Sequence, residues 1–129
     1  MDIYGVAKLF ERAGDAATSA ALLEKALAGG RGLSAEASYH ARKTLSHHFK
    51  KAKAWDKALP FWQEMAAGED FECFRELAVY FEHTAKDLDE AIRVATEGLA
   101  LSKGKSAAAE RDFEKRITRL QGKKAKKKG

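Results

Sequence analysis

Three times along this chain the same helical stripe recurs, and that recurrence limits the fold more than any other feature. Ile3, Val6-Ala7 and Phe10 stand at i, i+3, i+4 and i+7. Arg42, Leu45-Ser46 and Phe49 repeat the spacing, as do Phe74, Leu77-Ala78 and Phe81. Residues so spaced share one face of an α-helix. A second set follows each stripe: Ser19, Leu23, Ala26; then Ala58, Trp62, Met65; then Ala91, Ala95, Gly98. A small residue opens every second set, which lets paired helices approach closely. The pattern predicts an all-α chain of three helical hairpins, of which Phe71–Leu101 is the clearest.

Composition agrees. Ala, Leu, Glu and Lys dominate, there is one Pro, and no β-branched run is long enough for a strand. Hydrophobic residues make up 45% and charged residues 33%, so the chain has enough apolar material for a core and is far from a disordered composition. Its 129 residues suit one domain. The single Cys73 excludes an intramolecular disulfide framework and reads as a buried thiol. No secretory signal and no membrane span is visible, so a cytoplasmic protein without membrane contact is expected.

The repeat spacing resembles the tetratricopeptide (TPR) pattern, a helical hairpin recurring about every 34 residues. Ala58 to Ala91 is 33 residues; Ser19 to Ala58 is 39, with the excess in Gly29-Gly30-Arg31-Gly32. Three departures stand out. Ile3, Arg42 and Phe74 replace the opening Trp, the closing Pro is absent, and the Thr84-Ala85-Lys86 turn is one residue longer. The resemblance implies a right-handed stack, with repeats at about 1–33, 34–70 and 71–104. A capping helix from about 106 to 121 would carry Phe113, Ile117 and Leu120 on its apolar stripe. Residues 122–129 read as a disordered lysine-rich tail. Expected helix caps are Asp15, Ser34, Asp56 and Asp87, with Pro60 in the first turn after Asp56.

The stretches Leu45–Phe49, Trp55–Leu59, Leu77–His83 and Lys86–Ala91 carry a narrower resemblance, with Tyr80-Phe81-Glu82-His83 followed by Lys86-Asp87 the most specific part. They look like the C-terminal helical-repeat region of bacterial proteins that carry an N-terminal ribonuclease-H-like exonuclease domain. That resemblance spans about residues 1–120. It implies an accessory region contributing substrate or partner binding, with Asp2 at the place of a metal-binding acid that ends the exonuclease domain.

Charge is sorted along the chain. The net charge is +5, and the five lysines within 122–129 account for it, leaving 1–121 neutral. Residues 38–57 carry +5 and residues 64–97 carry −7. In TPR arrays the first helices line a concave groove. Tyr4, Lys8, Arg12, His40, Lys43, His47, Lys50, Lys51 and Arg75 fall on that face, together with Glu72, Val79 and Glu82. A cationic groove of this kind suits an acidic peptide, a carboxylate or a phosphate backbone. The Lys–Asn carboxylate clamp of some TPR proteins is excluded, because the chain has no Asn. The four histidines lack metal-ligand spacing, and no phosphate loop or catalytic constellation is present, so no cofactor, no metal and no enzyme activity are expected. The acids between Glu64 and Glu97 read as a solvated face.

Three functions follow as expectations. The first is a non-catalytic module binding an acidic peptide or protein. The second is a nucleic-acid-binding accessory region using the groove and the lysine tail. The third is self-association, a monomer or weak dimer in which the basic 38–57 segment meets the acidic 64–97 surface of a second copy.

Overall fold

A computed structural model describes residues 2–29 and 32–128, of which the link residues Gly30 and Arg31 are not part. The chain is all-helical. The elements are α1 (Ile3–Arg12), α2 (Ala16–Gly29), α3 (Ala35–Lys51), α4 (Trp55–Ala67), α5 (Phe71–His83), α6 (Leu88–Ser102) and α7 (Ala107–Lys128), with no strand among the described residues. They divide into two compact units, 1–61 and 62–129, and the division falls inside α4.

In the first unit α1 packs on α2 and α2 on α3. Ser19, Leu23 and Ala26 are buried, as is Ala7 of α1. The small residue that opens this set does more than save space: Ser19 Oγ donates to the Ala7 carbonyl at 2.8 Å, joining the two helices through a buried polar group that is satisfied. Ala41, Leu45 and Phe49 are buried on α3, and Phe49 stacks on Phe61 of α4 with ring centroids 6.1 Å apart. Ile3 departs from the expected apolar stripe. It is 45% exposed, at the rim of a cleft with Tyr4, Lys25 and Leu33.

In the second unit α5 packs on α6 and α6 on α7. Trp62 and Met65 are core residues, and Trp62 meets Tyr80 at 6.5 Å between ring centroids. Cys73 is a buried free thiol. Ala91, Ala95 and Gly98 are all buried. Gly98 is required by its neighbour: a Cβ there would stand 2.5 Å from the Phe113 ring of α7. Phe113 and Leu120 are buried, as the apolar stripe of the last helix predicts.

Three of the interhelical turns share a backbone feature. Gly14, Lys53 and Lys86 all have left-handed backbone, with φ of 85°, 58° and 55°. They are spaced as Ser19, Ala58 and Ala91 are. The Asp15 amide donates to the Phe10 carbonyl at 2.9 Å, and the Ala54 amide to the Phe49 carbonyl at 2.8 Å. In the third hairpin Asp87 donates to Phe81 at 2.7 Å, across one more residue, as the longer turn requires. The first two are Schellman closures, in which a left-handed residue lets the chain satisfy its last helical carbonyls. Only the first hairpin uses glycine for it.

Caps follow the sequence at Asp15, Ser34 and Asp87, whose side chains accept from Thr18, Ala37 and Glu90 amides. Asp70 caps α5 in the same way, through the Glu72 amide. Asp56 does not cap α4. The helix begins one residue earlier, and the Ala54 carbonyl accepts from Lys57 and Ala58, each at 3.0 Å. Asp56 therefore lies within the first turn, where its charge suits the helix dipole, and Pro60 stands inside the helix rather than in its first turn.

The lysine-rich end is a second correction. Residues 122–128 are the last turns of α7, where the sequence predicts disorder. Lys and Ala are good helix formers, and Lys123 and Lys124 reach Glu82 and Asp89 of neighbouring elements. Those cations also sit favourably at a helix C-terminus.

Candidate ligand-binding surface

The groove residues of the first unit come from α1 and α3. Tyr4 and Lys8 are one turn apart on α1, and the Lys8 ammonium stands 5.6 Å from the Tyr4 ring centroid. Tyr4 meets His40 of α3 edge-on, with centroids 6.1 Å apart. The structure thus brings Tyr4, Lys8 and His40 into one cluster. On α3, Lys43 lies over the Tyr39 ring at 5.5 Å and 3.5 Å from its hydroxyl. Arg12, His47 and Lys51 are exposed on the same two helices and Lys50 is half-buried.

Sequence reasoning missed Glu11. Its carboxylate lies 3.7 Å from His40 Nε2, and Thr44 Oγ1 is 3.5 Å from the same nitrogen. The cluster is therefore mixed in charge, with the Lys8 ammonium and the Glu11 carboxylate both in it. Partial burial raises the Tyr4 phenol above its usual range, and the Glu11, Asp2 and Glu36 carboxylates push the same way. Asp2, placed by resemblance at a metal-binding position, caps α1 by accepting from the Gly5 amide at 2.6 Å. Arg75 belongs to the second unit, exposed on α5 and 3.9 Å from Glu76.

Glu82 also departs from the sequence reading, which puts it on a solvated groove face. It is 5% exposed and holds α7 to α5. Arg119 grips its carboxylate through both terminal guanidinium nitrogens, one at 2.8 Å, and Lys123 adds a third cationic donor. Arg119 chiefly holds its carboxyl down at about 2, against the opposing effect of burial. A signal was present: Glu82 lies four residues beyond buried Ala78, while Arg119 and Lys123 are four apart on α7. On α6, by contrast, Glu90 and Glu97 are pinned by Arg93 and remain on the surface.

No group of three or more His, Cys, Asp or Glu side chains among the described residues is placed to share a metal ion. No helix among them is long and apolar enough to cross a membrane.

Compared with known proteins, the chain is similar to the uncharacterized protein YprB of Bacillus subtilis (strain 168), with 33% identity over 90 residues. The match covers 64% of this chain and 21% of that protein, so the chain spans about a fifth of its relative's length. No family model matches the chain, and no solved structure matches it.

Proposed function

We propose that this chain is a non-catalytic, TPR-like interaction module whose α1/α3 face holds an acidic peptide segment of a partner protein. The observation that carries the reading is the Tyr4–His40 contact with Lys8 over Tyr4. It joins two helices into one surface of rings and cations. Lys43 on Tyr39 extends that surface along α3. Rigid aromatic rings give contact area at low entropic cost, and ammonium groups give the charge complementarity that selects acidic partners. The left-handed turns at repeat-equivalent positions support the TPR-like arrangement. A cytoplasmic location accords with this use.

Fluorescence anisotropy with a labelled acidic peptide tests the face. Lys8→Glu combined with Lys43→Glu is expected to weaken binding at least about tenfold, or about 1.4 kcal/mol, with unchanged helical circular dichroism. Retained binding by that variant contradicts the assignment.

A second reading, an accessory region serving a ribonuclease-H-like nuclease, rests on the Tyr80–His83 and Lys86-Asp87 resemblance. Similarity confined to 21% of a longer relative accords with a region that works within a larger protein.

A further inference from the structure

A cleft in the second unit is not absorbed by the α1/α3 reading. It lies where the end of α7 passes the α5–α6 turn, and has a volume of about 370 Å³. Its lining is Glu82, His83, Lys86, Leu88, Lys123 and Lys127. A neighbouring cleft of about 650 Å³ shares Lys86, Leu88 and Lys127 and adds Lys124.

Charge in this place is unbalanced. The one acid of the smaller cleft, Glu82, is already gripped by Arg119 and Lys123 and is shielded from solvent. His83 stands at the rim, its Nε2 3.4 Å from Glu82, and its ring is more than half exposed. Neither Lys86 nor Lys127 makes an ion pair among the described residues. The acids of the wider cleft are occupied: Asp87 caps α6 and Asp89 pairs with Lys124. Lys86 also keeps a left-handed backbone (φ 55°), where Gly14 serves the first hairpin. That backbone is unfavourable for a residue that bears a side chain.

The donors are ammonium point charges on two walls of an open cleft. The one guanidinium fork nearby, Arg119, is turned to Glu82. Such a row of ammonium point charges suits the regularly spaced negative charges of a phosphate backbone. The exposed His83 ring adds a surface on which a base can stack. We propose that this cleft binds the phosphate backbone of a single-stranded nucleic acid, with Lys86 and Lys127 as its contacts and His83 at its rim. The ordered end of α7 is then one wall of a binding site. The assignment does not rest on the α1/α3 face, which lies in the other unit and is tested by different variants.

The experiment is a salt titration of the full chain against a labelled oligo-uridylate, followed by anisotropy. Binding is expected at low salt, with log K falling linearly as log salt rises. Lys86→Gln combined with Lys127→Gln leaves the Glu82 anchor intact and should reduce the magnitude of that slope by about 1.4, the loss of two phosphate contacts on a single strand. Lys8→Glu with Lys43→Glu should leave the slope unchanged. The assignment is overturned by no binding at low salt, or by an unchanged slope in the Lys86/Lys127 variant. It is equally overturned if poly-glutamate binds as tightly, which would make the cleft a site for an acidic protein.

Discussion

Glu82 shows how one carboxylate can hold an element in place. Its hydrogen bonds to Arg119 and Lys123 form between a buried acceptor and half-exposed donors. Replacement by Gln keeps the shape and removes the charge, so Glu82→Gln should cost about 1–3 kcal/mol in urea unfolding. The pH dependence has a definite sign. The folded carboxyl is depressed from 4.5 to about 2, so its contribution is complete above the unfolded value and disappears as pH falls through about 2. Thermal melts between pH 5 and 2 should therefore fall more steeply for the native chain than for Glu82→Gln; parallel curves would contradict the pairing. Lys53 gives the opposite case. Its left-handed backbone is unfavourable for any residue with a Cβ, and Lys53→Gly should stabilise the chain by about 0.5–1 kcal/mol in the same assay.

Among the elements, α7 separates what patterning shows from what it cannot. The stripe of Phe113 and Leu120 was legible, and both are buried. The helical state of residues 122–128 was not, because a run of lysines reads as a solvated tail until its partners are known. Those partners, Glu82 and Asp89, lie far away in sequence, so only the packing of α7 on α5 and α6 brings them near. Deletion of residues 122–129 removes the Lys123 and Lys124 pairs and should lower stability by about 1 kcal/mol in urea unfolding. An unchanged midpoint would mean that the lysine end contributes nothing. The α4 start was misplaced because Asp56 is a good capping residue, yet the Ala54 carbonyl takes that first position and leaves Asp56 inside the turn. Caps at Asp15, Ser34 and Asp87 needed only local sequence and were read correctly.

At the scale of the whole molecule, the all-α class was the most legible feature. All nine residues of the second sets are buried, which their helical spacing foretells without distant information. The α1/α3 face was legible only in part. Helical spacing put Tyr4, Lys8, His40 and Lys43 on it, but the Tyr4–His40 contact and the intrusion of Glu11 depend on how two helices meet. The sorting of charge by segment is the physical basis on which an acidic partner is proposed. The most direct measurement is a backbone amide NMR titration of the full chain with an acidic peptide. Shifts concentrated at Tyr4, Lys8, His40 and Lys43 are predicted; shifts confined to α5–α7, or no shifts at saturating peptide, would contradict the α1/α3 assignment.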